Sequence, residues 1–494
     1  MLRRKSAAAP SMLAVVDMGS NSFRLEVGRV EGNQIYRLDT VREPLRLGAG
    51  IDEKGNLTPL AQRETLACLA RFGERLRGFD PANVRAVATN TFRVAKNAAK
   101  FLPKAQAALG FPIDVIAGHE EARLIYVGVA HLLPPGEAPR LVVDIGGGST
   151  EFIIGRGMQP DRLESLKLGC VTMTARFFAD GRIGKGALLK AETYAQVEVE
   201  AIAREFSRGH WKDAYASSGT ALALADICEQ NGWSEQGITP DGLAKLRKRM
   251  LAAGEATDLD LPGLKDERKP VLAGGFAVMA AAMQELQIPR ILPVGGALRL
   301  GVLYDLLGRR EERDSREATV ASFLERYHVD RPHGERVAAL ARKLYDDAAA
   351  KPDPNVERHV GWAALLHEVG YTVSHLGFHK HGAYILANAD MPGYSRQDQQ
   401  WLALLVLGCR GGLDKVAPAL ADPSVRAQIL ALRLAVMFHH ARQPIALPRI
   451  RVTPGRAYGV AVPAAWLRAH PLTETLLSKE RDEWRKAGHP WKRG

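Results

Sequence analysis

The chain has 494 residues, of which 46% are hydrophobic and 25% charged; the composition is that of a folded protein, and the length excludes a single hydrophobic core, so we expect three or four domains. Its 67 Lys and Arg against 55 Asp and Glu give a net charge of +12, which indicates either a polyanionic partner (nucleic acid, an anionic membrane surface or a phosphate polymer) or only a basic, soluble surface. Four scattered cysteines exclude a disulfide framework and a zinc knuckle, and no stretch is apolar enough to span a bilayer, so we expect a cytoplasmic protein without a membrane partner.

A first αβ stretch is predicted from residue 11 to residue 134, after a flexible tail at residues 1–10. It opens with an apolar run, then a polar turn, then a second apolar run; the turn reads Asp17-Met18-Gly19-Ser20-Asn21-Ser22. This pattern predicts a β-hairpin whose turn offers backbone N–H groups and small side chains, and such turns bind anions. Ser20, Asn21 and Ser22 are therefore candidate phosphate-binding residues, and Asp17 is the natural partner of a metal ion on that phosphate.

Further candidates in this stretch follow predicted strands. Arg93 comes after the strand at residues 84–88 and either neutralises a phosphoryl group during its transfer or forms a surface ion pair. Glu120 and Glu121 stand where the strand at residues 113–116 gives way to a helix. They either stabilise the helix dipole or face a cleft, where a carboxylate would act as the general base of phosphoanhydride hydrolysis. The residues alone do not choose between Glu120 and Glu121.

The second αβ stretch, residues 135–308, repeats the opening pattern of the first. An apolar run leads into Asp144, and the strand after the turn carries Glu151; the turn itself contains Gly146, Gly147, Gly148, Ser149 and Thr150. Two matched copies predict two related lobes with a phosphate chain and Mg²⁺ or Mn²⁺ between them. The alternative is a pair of tight hairpins without a ligand. The phosphate-binding loop GxxxxGK[ST] does not occur in the chain.

Weaker candidates lie later in this stretch. Ser218, Gly219 and Thr220 stand between a short strand and a helix, where they either present backbone amides to another phosphate or simply cap the helix. The same two alternatives hold for residues 295–297. Arg268 belongs to a charged run and either contacts a phosphate or lies on a solvated face.

The composition changes near residue 308. Residues 309–316 are predicted to form a charged connector. From residue 316 to residue 445 the spacing of apolar residues predicts a mainly helical domain, and residues 446–494 are predicted to form a small α+β domain.

Taken in order, these motifs resemble those of one family. Besides the two Asp-led turns, they are Thr91-Phe92-Arg93, Gly118-His119-Glu120-Glu121-Ala122-Arg123, Ser217-Ser218-Gly219-Thr220 and Gly296-Ala297-Leu298-Arg299. The chain resembles the exopolyphosphatase / guanosine pentaphosphate phosphohydrolase family, and the resemblance implies an α/β fold of two actin-like (ribonuclease H-like) lobes and a homodimer. It also implies that Glu121 is the general base, and that Asp144 and Glu151 lie at the divalent metal.

The resemblance extends into the helical region, which looks like an HD-type phosphohydrolase domain. The chain departs from the HD pattern twice: His367 is followed by Glu368 instead of Asp, and Val436 stands where such domains carry an Asp ligand. Two altered ligands argue against a second metal centre, so we expect a degenerate, non-catalytic HD-like domain. Its basic side chains, such as His379, Lys380 and Arg410, are then predicted to contact a long anion.

The sequence therefore predicts an exopolyphosphatase that releases terminal orthophosphate from inorganic polyphosphate processively. No specific nucleic acid is expected as a partner. The first alternative is a guanosine pentaphosphate 5′-phosphohydrolase that uses the same residues and also binds guanosine tetraphosphate. Two other classes are a regulator that binds a nucleotide or polyphosphate without turnover, and a sugar-kinase-like phosphotransferase. Glu121 argues against the regulator, and no adenine pocket or acceptor site is identifiable for the kinase.

Overall fold

A computed structural model of the protein describes residues 12–31, 34–134, 136–295, 297–310, 314–455 and 457–493. The chain divides into two compact units, Met1–Asp314 and Ser315–Gly494. The tail predicted at residues 1–10 and Gly296 of the glycine turn at residues 295–297 lie outside the described residues. No helix among the described residues is long and apolar enough to cross a membrane.

The first sheet of the N-terminal unit contains both runs of the first motif. Its strands are β1 (Met12–Met18), β2 (Phe23–Glu31), β3 (Gln34–Glu43), β4 (Val84–Ala88) and β5 (Ile113–Val115). They lie in the order β3-β2-β1-β4-β5, with β1, β2 and β3 antiparallel and β4 and β5 parallel to β1. The helices of this stretch are α1 (Pro59–Arg75), α2 (Asn90–Val94), α3 (Ala98–Leu109) and α4 (Gly118–Leu132).

The second sheet repeats the first in strand order and direction. Its strands are β6 (Arg140–Ile145), β7 (Thr150–Arg156), β8 (Gln159–Leu166), β9 (Asp213–Ser217) and β10 (Leu292–Pro293). They lie in the order β8-β7-β6-β9-β10, again with three antiparallel strands and two that run parallel to the central one. The accompanying helices are α5 (Cys170–Phe177), α6 (Lys185–Phe206), α7 (Ser218–Gln230), α8 (Pro240–Ala253), α9 (Lys269–Glu285) and α10 (Ala297–Arg310).

Both faces of the first sheet are covered, which explains why β1 is a continuous apolar run rather than an alternating one. Ala14 and Val16 pack on one side with α1 and α3, and Leu13 and Val15 pack on the other side. The helix that covers this second side is α10, whose Val302 belongs to the same cluster. The last helix of the second αβ stretch thus packs on the sheet of the first.

The C-terminal unit is mainly helical. Its elements are α11 (Ser315–Arg326), α12 (Arg331–Ala348), α13 (Pro354–Leu366), α14 (Phe378–Asn388), α15 (Arg396–Gly408), α16 (Pro423–Phe438), β11 (Arg451–Thr453), β12 (Gly459–Ala461), α17 (Ala464–Ala469), α18 (Pro471–Lys486) and β13 (Lys492–Arg493). The three short strands form one sheet in the order β11-β12-β13. Val452 and Val460 of this sheet belong to the same hydrophobic core as the helices, so the strands and helices of the unit are packed together.

The charged run predicted to be a connector is not fully solvated. In the N-terminal unit, Arg309 donates from Nε to a carboxylate oxygen of Asp305 at 2.9 Å. In the C-terminal unit, Arg316 is buried and its guanidinium lies 4.8 Å from the centre of the Trp362 ring. The aliphatic and planar parts of an arginine side chain pack well against apolar and aromatic groups. A run of charged residues in the sequence therefore does not by itself show that each of them faces water.

Candidate active site

The turns of the two Asp-led hairpins face each other across a cleft between the two sheets. A Cβ atom built on Gly147 would lie 3.2 Å from the Cβ of Ser20 and 3.3 Å from the backbone nitrogen of Asn21. A Cβ atom built on Gly148 would lie 2.0 Å from Nδ2 of Asn90, so any side chain here would have to displace that of Asn90. The glycines of the second turn therefore allow its backbone to approach the first turn closely.

The cleft has a volume of about 410 Å³, and most of the predicted phosphate-binding residues line it. These are Ser20, Asn21, Ser22, Gly146, Gly147, Gly148, Ser149, Ser218, Gly219, Thr220 and Arg268. Thr150 is the exception: it is buried, and its hydroxyl donates to the backbone oxygen of Leu168 at 2.5 Å. The geometry gives Thr150 a structural contact and does not bring it into the cleft.

The structure separates the two adjacent acids that the sequence could not. Glu120 is 2% exposed, and its carboxylate accepts from Nε and Nη2 of Arg123 at 2.7 and 2.9 Å. Arg123 also donates to Asp305 on α10 at 2.6 Å, so Glu120 belongs to a buried ion-pair network behind the cleft. Glu121 instead lines the cleft together with the two turns.

Arg93 holds the Glu121 carboxylate. Its Nη1 donates to Oε2 of Glu121 at 2.7 Å and to the backbone oxygen of Ile116 at 3.0 Å. Burial raises the pKa of Glu121 above its ordinary value, the guanidinium of Arg93 opposes this rise, and the charge of Asp17 adds to it. Arg93 thus forms an ion pair with the candidate base, with both side chains largely buried rather than on the surface, and its contact with a phosphoryl group stays a prediction.

The three predicted metal ligands have different surroundings. Asp17 and Asp144 line the cleft, whereas Glu151 is 1% exposed and accepts from the Ser165 hydroxyl at 2.9 Å. Burial raises the pKa of Asp144 to about 6; the Ser217 hydroxyl, which donates to it, lowers the value, and the charges of Glu121 and Asp17 raise it. Burial also holds the pKa of Glu151 well above its ordinary value.

One oxygen of Asp17 indicates that the cleft favours a cation. Its Oδ1 is buried without a hydrogen-bond partner among the described residues, while its Oδ2 lies 3.5 Å from Nη1 of Arg299. Burial raises the pKa of this carboxyl even though Arg299 and Arg24 oppose the rise. A buried acceptor of this kind is satisfied by a proton or a cation. Among the described residues, however, no three carboxylates of the cleft bring their oxygens within 4.8 Å of one another.

The third small-residue turn begins α7 at the cleft. Ser218 has a φ of 95°, a strained backbone angle for a residue with a side chain. A Cβ atom built on Gly219 would lie 1.8 Å from Nη2 of Arg268, so the absence of a side chain lets this arginine lie against the helix start. The Ser218 hydroxyl accepts from the backbone N–H of Ala221 at 3.3 Å, so the capping role that the sequence allowed is also present.

Several cleft residues were not identified from the sequence. Arg24, Arg42, Asn90, Lys265 and Arg299 also line the cleft. Arg24 and Arg42 are directly paired neighbours on β2 and β3, a register that sequence spacing does not reveal.

One of these side chains joins the two halves of the cleft. Nη1 of Arg42 on β3 donates to both carboxylate oxygens of Glu267, each at 2.8 Å. Arg299 is the last residue of the motif Gly296-Ala297-Leu298-Arg299, so the sequence marked this position but did not indicate its role.

The basic residues predicted to contact a long anion lie together in the C-terminal unit. Burial lowers the pKa of His379 to about 4, and the charges of Lys415, Lys380 and Arg410 lower it further. Burial also lowers the pKa of Lys415 to about 8, with Arg433 and Lys380 as further causes. Such mutual repulsion marks a concentration of positive charge, and its contact with an anion stays a prediction.

Comparison with known proteins identifies the family of this chain. The Ppx/GppA phosphatase family matches residues 27–310, and domain III of the Ppx/GppA phosphatases matches residues 315–481. The chain belongs to the Ppx/GppA phosphatase family. This confirms the family resemblance that the ordered motifs predicted.

Relatives and solved structures of this family are similar to the chain over different lengths. The chain is 35% identical over 490 residues to the guanosine-5′-triphosphate,3′-diphosphate pyrophosphatases of Vibrio parahaemolyticus and Vibrio cholerae, with 98% of each chain covered. The crystal structure of the Aquifex aeolicus Ppx/GppA family member has a TM-score of 0.51 at 24% identity, covering 60% of this chain and 98% of that one. An exopolyphosphatase from Cytophaga hutchinsonii has a TM-score of 0.55 at 23% identity over the same shares, and both structures support the fold alone.

Proposed function

We propose that this member of the Ppx/GppA family is a phosphohydrolase that removes the terminal phosphate from a phosphoanhydride chain bound between the two facing turns. The observation that carries the proposal is the position of Glu121, a buried carboxylate with a raised pKa beside two turns that offer backbone N–H groups. A site that only bound an anion would gain nothing from an acid at this place, because like charges repel.

The preferred substrate is guanosine pentaphosphate. The Vibrio relatives, which align with the chain almost end to end, are named guanosine-5′-triphosphate,3′-diphosphate pyrophosphatases. Arg24 and Lys265, which also line the cleft, are the residues we propose to contact the second group of phosphates, because Arg42 is already paired with Glu267.

Inorganic polyphosphate is the second candidate substrate. The observation that favours it is the cluster of basic side chains around His379 and Lys415 in the C-terminal unit, because a long polyanion gains affinity from many separate contacts. The exopolyphosphatase of Cytophaga hutchinsonii shares the fold but, at 23% identity, does not decide between the substrates.

The chain's own residues account for the main steps. The amides and hydroxyls of the two turns hold the phosphates in place and neutralise part of their charge. Glu121 accepts a proton from the attacking water, and Arg93 keeps its carboxylate oriented through the hydrogen bond at 2.7 Å. Ser217 similarly fixes the carboxylate of Asp144 by donating to it.

Mg²⁺ or Mn²⁺ fits the donor set of the cleft, because oxygen ligands and phosphates are what these ions prefer. Asp17, with its unpartnered buried oxygen, and Asp144 are the residues we propose to hold the ion. Glu151 would act from behind them, since the Ser165 hydroxyl already occupies it. When bound, the ion neutralises charge that develops on the phosphate oxygens.

We also propose the finer description of the fold. The repeated strand order of the two sheets supports two actin-like lobes, and the positions of His333, His367 and Glu368 in the helical unit support an HD-like arrangement. A homodimer remains a proposal from the family resemblance.

The experiment that tests the proposed function measures phosphate release from guanosine pentaphosphate and from long-chain polyphosphate, side by side with Mg²⁺. The Glu121→Gln variant, purified in the same way, controls for contaminating phosphatases. We expect release from guanosine pentaphosphate with the higher kcat/KM. Equal, background-level release by both proteins on both substrates would contradict the proposal.

A further inference from the structure

The C-terminal unit contains a compact cluster of potential metal ligands. Among the described residues, one group of three His, Cys, Asp or Glu side chains brings its ligand atoms within 4.8 Å of one another, and it consists of His333, His367 and Glu368. All three residues are buried. They come from the first turn of α12 and from the end of α13, two helices that pack against each other.

The distances within this cluster suit a shared ion. Nε2 of His333 lies 3.6 Å, and Nε2 of His367 3.7 Å, from Oε1 of Glu368. Two ligand atoms at metal bonds of about 2.0–2.2 Å lie roughly 3.0–3.5 Å apart, so both distances to Glu368 are within a few tenths of an ångström of that range. The ligand atoms of the two histidines lie within 4.8 Å of each other.

The hydrogen bond of one histidine prepares it for a metal. Nδ1 of His367 lies 2.6 Å from the backbone oxygen of Ala364, and because a carbonyl only accepts, Nδ1 must carry the proton. Nε2 of the neutral ring therefore presents its lone pair towards Glu368. A second hydrogen bond of this type orients most metal-binding histidines.

A positive charge already occupies one side of the cluster. Nη1 of Arg442 donates to Oε1 of Glu368 at 2.5 Å, and its Nη2 lies 3.4 Å from Asp330. The Arg442 side chain is 42% exposed, so it can leave Glu368 for Asp330 and solvent. A buried carboxylate needs a cation, and the arginine and a metal ion would compete for the same oxygen.

We propose that His333, His367 and Glu368 form a second metal site, which takes a divalent transition metal in exchange for the Arg442 guanidinium. Two imidazoles and one carboxylate select Zn²⁺ or a similar first-row ion such as Co²⁺, whereas Mg²⁺ prefers oxygen ligands. Three protein ligands leave coordination positions open towards the adjoining cavity of about 1020 Å³, which Arg410 and Lys479 also line. The sequence argued against a metal here because two letters differ from the HD pattern, but the altered acid still reaches both histidines.

The test uses Co²⁺ as a probe with the full chain, after removal of metals with a chelator. Visible absorption reports cobalt coordinated by histidine, and equilibrium dialysis counts the ions bound. The variants are His367→Ala, which removes a ligand, and Arg442→Met, which removes the competing cation while keeping an unbranched side chain. His440→Ala is the matched control, because His440 lines the same cavity but is exposed and outside the cluster.

Wild-type protein and His440→Ala should bind the same number of Co²⁺ ions and give the same absorption. His367→Ala should bind one ion fewer, or bind it about 100-fold more weakly, with the histidine-dependent absorption lost. Arg442→Met should bind that ion about 10-fold more tightly, because no arginine must first be displaced. The Arg442 variant alters a half-exposed side chain, so it tests the proposal even if His367→Ala fails to fold. Unchanged Co²⁺ affinity in Arg442→Met, or an unchanged stoichiometry in folded His367→Ala, would overturn it.

Discussion

Glu120 and Glu121 follow one another at the start of α4, so their side chains leave the helix about 100° apart. One direction leads behind the first sheet to Arg123, and the other leads into the cleft. The choice between them depends on how α4 is rotated about its axis against α10 and the sheets. The local sequence does not determine that rotation. For this reason only the family resemblance, and then the structure, distinguishes the two acids.

We predict that Glu121→Gln retains the fold and substrate binding but lowers kcat by about 10²–10⁴-fold, because the amide cannot accept the proton of the attacking water. Steady-state kinetics and a parallel binding assay measure the two effects. Near-wild-type turnover would remove Glu121 from the role of base.

Glu120→Gln provides the matched control at the neighbouring position. It removes one charge from a buried network that also contains Arg85, Arg123 and Asp305. We expect it to lower the free energy of unfolding by about 2–4 kcal/mol while the remaining folded enzyme keeps its kcat. A denaturant titration distinguishes this result from a direct loss of catalysis.

Asp144 gives a prediction on pH. Its folded-state pKa of about 6 lies above the ordinary value of 3.8, so the stability that protonation contributes is present below pH 4 and is lost as the pH rises through 6. Asp144→Asn should therefore raise the free energy of unfolding at pH 8 without metal by about 1–3 kcal/mol and have little effect at pH 4.

Thermal unfolding at both pH values, with and without Mg²⁺, measures this difference. Mg²⁺ should stabilise the wild-type protein and have less effect on the variant, because the variant lacks the charge that the ion needs. An equal Mg²⁺ shift in both proteins would remove Asp144 from the metal site.

At the scale of single elements, local patterns predict most of what forms. A Thr followed by Pro is a typical start of a helix, and such pairs stand at the starts of α1 and α8. The hydroxyls of Thr58 and Thr239 cap these helices by accepting from backbone N–H groups at 3.3 and 3.1 Å. Both Asp-led hairpins are confirmed by their strand pairing. Their pairing also shows the limit of the motif, because Thr150, which the sequence placed in the turn, already belongs to strand β7. A motif marks the position of a turn but not the residue at which the next strand begins.

The close approach of the two turns yields an element-scale prediction. Gly148→Ala should lower kcat/KM by roughly 10²-fold, because its Cβ would displace the Asn90 side chain and crowd the Ser20 hydroxyl of the first turn. Gly186→Ala on α6 is the control, since a Cβ there meets nothing within 4 Å. The control should keep its activity and gain up to about 1 kcal/mol of stability.

Enzyme kinetics and thermal unfolding of both variants test this difference. If Gly148→Ala and Gly186→Ala have the same kcat/KM, the spacing of the turns does not limit catalysis.

At the scale of the whole molecule, the repeated motif predicts that the two sheets are alike. It does not predict which sheet a given helix packs on. The sequence of residues 297–310 does not show that α10 packs on the first sheet rather than on the second, because an apolar helix face can pack against either sheet. The basic cluster of the C-terminal unit is likewise not predictable from local sequence. Its members are separated in sequence, and the packing of α14, α15 and the segment after them brings Lys380, Arg410 and Lys415 together around His379.

The basic cluster yields a prediction on substrate length. The double change Lys380→Glu and Arg410→Glu should raise KM for long polyphosphate about 10-fold and leave KM for guanosine pentaphosphate nearly unchanged, because a long chain offers many phosphates for contacts outside the cleft and guanosine pentaphosphate offers few. The dependence of the polyphosphate KM on salt should also become shallower, since fewer counterions are released.

Lys245→Glu and Lys248→Glu on α8 form the control, because they change the net charge by the same amount at exposed positions. Kinetics at two salt concentrations compare the two double variants. An equal effect of both on polyphosphate would assign the loss to net charge rather than to the cluster.

The crossing of α4 and α10 has a consequence for which positions tolerate change. A Cβ atom built on Gly301 would lie 1.7 Å from the backbone oxygen of Leu124, which is one helical turn from Glu121. The two helix backbones therefore touch without side chains between them, and any larger residue at this point must displace the helix that carries Glu121, the proposed general base. In a survey of random substitutions scored by turnover, Gly301 should be as intolerant as the residues that meet the phosphate, although it lies outside the cleft.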